Sequence, residues 1–430
     1  MAKLAVMSIR HPFAVFALMF LAMALVWSRA LLSIIPGFLL LATLINVQIN
    51  PFRVRWAVTP SEVLRTIRTK PHIWVFALYF LAYLVSVVYS GNVGEWWKLT
   101  HIKLHFLLLP LCFAMLGPFT RKEYMLIVLC MVITTIWSTI WVQVAYFSNY
   151  DLFSQSLGFG GSLPTPIHHI RYSVIVAVSM VICLFFAIEN WTIKYNWERW
   201  AYAIAAVYLF YFLHLLSVRS GLALTYAGII ILGLFYFQKI KRWHQIALVS
   251  ILVMTPMIAY KILPGFELKV RYTIYDLGKF KAGEGEDYSD AKRWQSWRAG
   301  LDIGNQRPLL GTGPGKFLAE LENYYKNVLK QDNWTRPHNQ WINVFTVLGL
   351  FGLVVFCFVM FYPMTFTFFW KPPLMPTLYI MQLLSMMVEH PLDTTFGTSL
   401  FLVLTLLGLS YKEGLFPGKN AFLSQENPSE

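Results

Sequence analysis

Residues 124–147 decide the fold class of this chain, because they read YMLIVLCMVITTIWSTIWVQVAYF and carry no charged side chain. An α-helix needs roughly 20 such residues to cross the hydrocarbon core of a bilayer. The chain as a whole has a similar character, with 57% hydrophobic and only 13% charged residues. Soluble domains carry about a quarter charged residues, so the sequence predicts an integral membrane protein.

Apolar stretches of comparable length recur along the chain and predict about twelve transmembrane helices. They cover residues 12–28, 30–48, 73–92, 105–118, 124–147, 171–190, 200–218, 220–238, 245–263, 341–363, 374–390 and 395–411. We therefore expect an all-α polytopic membrane protein with a large, mostly helical loop. Helices 1–9 lie within residues 1–263, the loop covers 264–340, helices 10–12 lie within 341–411, and a tail covers 412–430.

The lysines and arginines are distributed unevenly between the short connections of these predicted helices. Cytoplasmic connections are enriched in lysine and arginine, and this bias places both termini in the cytoplasm and the loop outside. Topology therefore explains the formal net charge of +14 without a nucleic-acid partner. The four cysteines lie within or at the edges of apolar stretches at spacings that favour neither a disulfide framework nor a zinc site.

The loop over residues 264–340 is polar, rich in glycine and close to neutral. Apolar residues recur at three- and four-residue steps over 290–303 and 316–330, which predicts two helices. The glycine-rich residues 311–315 predict a turn between them, and 281–289 are predicted to be mobile. The turn lacks the Lys-Ser/Thr of a phosphate-binding loop.

Arg219 is the most informative single residue, because it lies at the outer junction of two apolar stretches. A positive charge is disfavoured there by topology and is costly near the bilayer, so its presence calls for an explanation. It could extend to the lipid headgroups or bind an anion. A helix beginning at Ser220 would add backbone N–H donors for that anion.

Arg171 lies in a similar outer position, directly after His168 and His169. These residues could form a hydrogen-bonding rim for a phosphate or sugar, or an ordinary interfacial cluster. A metal site is disfavoured, since adjacent helical positions do not share a face.

Three further arginines lie in the loop, namely Arg271, Arg293 and Arg298. Guanidinium groups match phosphate oxygens and stay charged at physiological pH, so converging arginines would suit a diphosphate. Surface ion pairs with Asp290 and Asp302 are the alternative for Arg293 and Arg298.

His338 ends the loop and can exchange a proton near neutral pH. The alternatives are phosphate binding as a cation and a purely structural role. Asn339 could orient it or cap the next helix. Glu389 and Asp393 lie four residues apart at the outer end of a predicted helix. They could be functional carboxylates or partners that fix one of the arginines. His214 is interpreted as a hydrogen-bonded core residue.

The order of these motifs resembles that of the O-antigen ligase and polymerase superfamily. The resemblance rests on Arg219 at an outer helix end, Arg293-x-x-x-Trp297, the glycine turn with its preceding Pro308-Leu309-Leu310, and His338-Asn339 before a span. It covers most of the chain and is strongest over 215–222 and 289–345.

The resemblance implies a glycosyltransferase of the bacterial inner membrane whose active site faces the periplasm. Its donor would be a glycan on undecaprenyl diphosphate, its acceptor a sugar hydroxyl of lipid A-core, and it would need neither nucleotide sugar, metal nor other cofactor. His338, Arg219 and Arg293 would be catalytic. The expected substrate-binding residues are Arg171, Arg271, Arg298, His168, His169, Asn339 and Glu389.

Two other functions remain open at this point. O-antigen or exopolysaccharide polymerases resemble this sequence equally and use another lipid-linked glycan as the acceptor. A transporter or flippase for a polysaccharide lipid has a similar number of spans, but such proteins commonly contain two matching halves, and this sequence has no evident repeat.

Overall fold

The computed structural model describes residues 10–48, 53–237, 241–281 and 289–415. Its helices, numbered along the chain, are α1 Arg10–Trp27, α2 Arg29–Leu44, α3 Pro60–Thr69, α4 Pro71–Trp74, α5 Ala77–Val85, α6 Val87–Ser90, α7 Val93–Thr100, α8 His105–Leu116, α9 Arg121–Ser148, α10 Tyr150–Gly158, α11 His169–Ile188, α12 Glu198–Leu216, α13 Arg219–Tyr236, α14 Arg242–Ile262, α15 Pro264–Lys281, α16 Ser289–Gln306, α17 Pro314–Tyr324, α18 Gln340–Phe361, α19 Leu374–Ser385 and α20 Thr395–Leu415. Short 3-10 segments cover His101–Leu104, Tyr362–Thr365, Thr367–Trp370 and Pro391–Asp393.

Seven helical segments of the described chain are long and apolar enough to cross a membrane, or eight if one bent pair counts as a span. They are Arg10–Trp27, Val93–Leu116, Arg121–Ser148, His169–Ile188, Glu198–Leu216, Arg219–Tyr236 and Gln340–Thr365, with the bent pair Val249–Ile262 and Pro264–Lys279. Four shorter apolar helices cover Arg29–Leu44, Ala77–Ser90, Leu374–Ser385 and Thr395–Tyr411. The all-α membrane fold is thus confirmed, and each of the twelve predicted stretches overlaps one of these helices. The number of spans stays a prediction.

The prediction was wrong for residues 45–48, which form a strand rather than the end of the second helix. Ile45–Gln48 is β1 and pairs antiparallel with β2, Arg53–Trp56. The β-branched Ile45 and Val47 favour a strand, and their hydrophobicity made the apolar stretch look longer than the helix.

The loop contains the two predicted helices, as α16 and α17, with a π-helical turn over Tyr325–Leu329 after α17. It also contains α15, which the sequence analysis did not predict and which turns by 102° from α14. Residues 282–288, most of the segment predicted to be mobile, lie outside the described residues, as do residues 416–430 of the predicted tail.

The predicted glycine turn is present, and it is bonded to a break in α18. Gly349 has φ 65° and ψ −163°, which interrupts the helix. Four backbone hydrogen bonds join the turn to this break: Thr312 to Thr346 at 3.0 Å, Gly313 to Val347 at 2.9 Å, Leu350 to Pro308 at 2.7 Å and Phe351 to Leu309 at 3.1 Å. Backbone groups that a helix break leaves unpaired in an apolar environment are costly, and the turn satisfies them here. The loop is thereby fixed to the helical bundle.

Replacing Gly349 by alanine should therefore destabilise the protein. A Cβ atom would lie 2.4 Å from the carbonyl carbon of Leu309, and the positive φ adds strain. We expect the midpoint of thermal unfolding in detergent to fall by roughly 2–6 °C. Gly37→Ala is the matched control, since a Cβ atom there meets nothing within 4 Å and alanine favours a helix. Equal midpoints for the two variants would contradict this role for the turn.

Candidate functional site

A cleft of about 1100 Å³ opens where the loop helices α15 and α16 approach the ends of α11, α13 and α18. Its lining includes four cations, three histidines and one carboxylate. They are Arg219, Lys269, Lys292, Arg293, His168, His169, His338 and Glu389. The structure therefore brings together six of the ten residues expected to act on the substrate.

Arg219 reaches the cleft because the chain reverses sharply between α12 and α13. Ser217 adopts a left-handed conformation with φ 55°, and α13 begins at Arg219, one residue before the predicted start at Ser220. Gly221 permits close packing on α11, since a Cβ atom there would lie 2.3 Å from Ser173. Arg219 and the amino end of α13 consequently contribute positive potential at one point.

Lys269 is a cation of the cleft that the sequence analysis missed. It lies on α15, and its ammonium donates hydrogen bonds of 2.6 Å to the carbonyl groups of Gly160 and Gly161. It is close enough to Arg219 for the two charges to repel each other. An anion in the cleft would relieve this repulsion. The signal available in the sequence was a lysine in the polar stretch that directly follows the predicted span over 245–263.

His338 is held in place by α16 through its main chain. Its N–H donates to Ser296 Oγ at 3.1 Å, and its carbonyl accepts from Trp297 Nε1 at 2.9 Å. The Arg293-x-x-x-Trp297 spacing therefore has a structural meaning: Arg293 lines the cleft, and Trp297, one turn further along α16, fixes His338.

The side chain of His338 is paired with Glu389, with 3.2 Å between Nδ1 and Oε1. Burial raises the pKa of Glu389, but the hydrogen bond from His338 and the charges of His338, His390 and Arg293 outweigh it and lower this pKa to about 2. An ionised carboxylate can only accept, so Nδ1 is the donor. The second ring nitrogen, Nε2, is then the one that can take a proton.

His390 completes a group of three with His338 and Glu389. Its Nδ1 lies 3.9 Å from Glu389 Oε2, and one ligand atom from each of the three residues falls within 4.8 Å of the others. Such a group could hold a divalent cation. Metal binding through Glu389 Oε1 and His338 Nδ1 would replace the hydrogen bond between these atoms, so the two arrangements exclude each other.

Arg171 lines a neighbouring narrow cavity rather than the cleft. This cavity is mostly apolar and shares Ile170, Ser220 and Glu389 with the cleft. Glu389 thus lies between the cleft on one side and Arg171 on the other.

Arg271 and Arg298 are not among the residues that line the cleft. Arg271 pairs with Glu267 at 2.7 Å and its side chain is 67% exposed. Arg298 pairs with Asp302 at 3.6 Å and is 68% exposed, in agreement with the surface-pairing alternative. The side chain of Asp290 lies outside the described residues.

Three other candidates have structural partners. Asn339 is buried and caps α18 by accepting from the N–H groups of Trp341 and Ile342. Asp393 pairs with Lys103 rather than with an arginine. His214 is confirmed as a hydrogen-bonded core residue, since its ring bonds to the Phe210 carbonyl and to Tyr226, each at 2.8 Å.

The profile of the O-antigen ligase family matches residues 204–357 of the chain. This segment includes Arg219, Arg293 and His338, so the resemblance expected from the motifs is confirmed over it. The match indicates a membrane enzyme of the glycosyltransferase type. Among curated proteins, none matches the chain.

An anionic probe should distinguish the arginines of the cleft from those outside it. We expect Arg219→Ala and Arg293→Ala each to weaken the binding of inorganic pyrophosphate by about ten-fold to a hundred-fold, the range for one charge-assisted hydrogen bond. Arg219→Lys keeps the charge without the planar fork and should recover only part of this affinity.

Isothermal titration calorimetry on the purified protein measures these affinities. Arg298→Ala is the matched control and should change the affinity by less than about two-fold, as is typical of an exposed pair. An Arg298→Ala effect equal to that of Arg293→Ala would contradict the assignment of the cleft.

Proposed function

We propose that this protein is an O-antigen ligase, which transfers a glycan from undecaprenyl diphosphate to a sugar hydroxyl of lipid A-core. The observation that carries the proposal is the hydrogen bond between His338 Nδ1 and Glu389 at the edge of a cleft lined by Arg219 and Arg293. A proton acceptor and an anion site are therefore adjacent. Glycosyl transfer from a lipid diphosphate needs both. The match to the O-antigen ligase family supports the same reaction.

The cations of the cleft bind the diphosphate of the donor. Arg219 and Arg293 form hydrogen bonds to its oxygens and stabilise the negative charge that grows as the bond to the sugar breaks. Lys269 adds a third positive charge close to Arg219. Because diphosphate is a good leaving group, the reaction requires no general acid.

His338 acts as the general base. Its Nε2 removes the proton of the acceptor hydroxyl as the oxygen attacks the anomeric carbon, in a single displacement that inverts this carbon. Glu389 holds the ring in the required tautomer and stabilises the imidazolium that forms, which is the task of the carboxylate in a Ser-His-Asp triad. Each chemical role is filled by a side chain, so the proposed reaction includes no metal.

The apolar cavity beside the cleft suits the lipid part of the donor. It shares Ser220 and Glu389 with the cleft, and its other walls come from membrane helices α11, α13, α19 and α20. The diphosphate can therefore lie among the cations while the lipid extends towards the apolar helices that line this cavity. Arg171 also lines this cavity, close enough to Glu389 for their charges to interact, and would bind the donor where its lipid joins the diphosphate.

The proposed location is the bacterial inner membrane, with the cleft facing the periplasm. The distribution of lysine and arginine supports this orientation, as it puts the loop with Arg293 and His338 outside. Lipid-linked glycans and lipid A-core would then both reach the cleft from the outer leaflet.

Deleting the gene tests the reaction and separates the ligase from the polymerase alternative. A ligase transfers finished polymer, so the deletion strain should accumulate long lipid-linked glycan while lipid A-core stays unmodified. Gel electrophoresis of lipopolysaccharide and analysis of extracted lipid-linked glycans show both. Accumulation of single repeat units would instead identify a polymerase. Complementation with His338→Ala, which should not restore transfer, is the control for the site.

The rate of transfer should fall on acidification because the base must be neutral. The lowered pKa of Glu389, about 2 against an ordinary 4.5, keeps this carboxylate ionised from pH 8 down to pH 4, so its contact with His338 is lost only as the pH falls towards 2. A decline in rate between pH 8 and pH 5 thus reports a histidine. Full activity at pH 5 would overturn the role of His338 as base.

Glu389→Gln provides the matched control for this profile. Without the carboxylate the imidazolium is less stable, so the decline should begin at lower pH, and the maximal rate should fall by about ten-fold or more because the ring loses its orientation. Initial rates from pH 5 to 8 in reconstituted vesicles measure both changes.

A further inference from the structure

Lys103 is a buried cation far from the cleft in sequence. It lies in the 3-10 segment His101–Leu104, between α7 and α8, and is only 1% exposed. Its ammonium donates to Asp393 Oδ1 at 2.5 Å and to the Leu392 carbonyl at 2.5 Å. The rings of Tyr79 and Tyr83 lie 5.5 Å and 5.2 Å from the same nitrogen. Both of these hydrogen bonds go to Leu392 and Asp393, while the two rings belong to α5.

Leu392 and Asp393 belong to the segment of residues 386–394, which connects α19 to α20 and also carries Glu389. Besides Lys103, it is bound to the start of α18 at several points. Gln340 N donates to the Met386 carbonyl at 2.8 Å, and Asn339 Nδ2 donates to the Met387 carbonyl at 3.0 Å. Beyond Glu389, Leu392 N donates to Gln340 Oε1 at 3.0 Å and Asn343 Nδ2 donates to Asp393 Oδ2 at 2.6 Å. The carboxylate of Glu389 is thus presented by a segment that is fixed on both sides.

A buried ion pair is a poor device for stability alone. The cost of removing both charges from water often equals or exceeds their attraction, and an apolar pair of similar volume can be as stable. Such a pair does fix geometry, because each charge tolerates only a few positions of its partner. The position that Lys103 fixes is that of Leu392 and Asp393, three and four residues from Glu389.

We propose that Lys103 is a positioning residue for the reaction, acting through Asp393 and Leu392 to hold Glu389 against His338. The catalytic consequence rests on the proposed function. Loss of Lys103 removes the two hydrogen bonds that hold Leu392 and Asp393 from the side of α7 and α8, and lets Glu389 shift relative to the imidazole while the bonds to α18 remain. The cations of the cleft lie on other elements, α13, α15 and α16, and keep their positions.

The test is a mutational cycle between Lys103 and Glu389. We expect Lys103→Met to lower kcat by at least about ten-fold and to leave the KM for the donor within about three-fold. In the Glu389→Gln background the same replacement should lower kcat by less than about two-fold, since an effect that passes through Glu389 is already lost. Additive effects in this cycle would overturn the proposal.

Two further variants exclude a general loss of structure. Lys98→Met removes a 68% exposed lysine, paired with Glu95, from the neighbouring α7 and should behave as wild type. Lys103→Met with Asp393→Asn removes both buried charges, so its thermal stability should return towards that of the wild type. Its kcat should stay low, because the hydrogen bond from Lys103 to the Leu392 carbonyl is still missing. Recovery of wild-type kcat in this double variant would show that the pair only neutralises charge and would overturn the proposal.

A spectroscopic readout separates this proposal from the proposed function. In NMR spectra of protein with ¹³C-labelled histidine at pH 7, the ring signal of His338 should shift in Lys103→Met in the same direction as in Glu389→Gln. An unchanged signal would overturn the positioning role whether or not the wild-type protein transfers a glycan. Absence of transfer by the wild type, with the expected shift present, would overturn the ligase assignment alone.

Discussion

The constraint behind this structure is that a backbone in hydrocarbon must satisfy its own hydrogen bonds. Continuous helices do so everywhere except at their ends, and an end or a break leaves polar groups that need other partners. Breaks occur at Ser217, between α12 and α13, at the 102° bend after Ile262, and at Gly349 within α18. The first two shape the cleft, because one presents Arg219 and the other turns α15 with Lys269 across it. The third is closed by the glycine turn, which fixes the loop that carries Arg293 and His338.

The loop and the bundle therefore form one site. The glycine turn and the residues just before it form hydrogen bonds to the broken α18. Ser296 and Trp297 of α16 bind the main chain of His338, directly before the same helix. The loop is thus attached to α18 at two places, the break at Gly349 and the residues directly before the start of the helix. Such attachment limits the distance between His338, the proposed base, which precedes α18, and Arg293 on α16. Proton transfer and charge stabilisation both depend steeply on such distances.

Hydropathy and residue spacing predicted most of the fold and part of the site. The apolar stretches identified the membrane helices, and the spacing of apolar residues predicted α16 and α17, because both patterns are properties of one helix at a time. Contacts between distant segments lie beyond such patterns. The pairing of His338 with Glu389 and of Lys103 with Asp393 joins residues 51 and 290 positions apart. Arg298 was expected in the site from the chemistry of guanidinium groups, and Arg271 from this chemistry and the family resemblance, but neither argument gives the direction of a side chain from its helix.

Glu389 and Asp393 illustrate why spacing was insufficient at the centre of the site. Four residues apart on a helix, they would share one face and could have bound one partner together. In the structure α19 ends at Ser385, and the two carboxylates lie on an irregular segment that leads into the 3-10 turn Pro391–Asp393. Asp393 faces the buried Lys103, and Glu389 faces the partly exposed His338. One segment therefore carries a charge fixed in the interior and a charge that orients the imidazole at the cleft. The end of the helix is what allows two similar side chains to have these different roles.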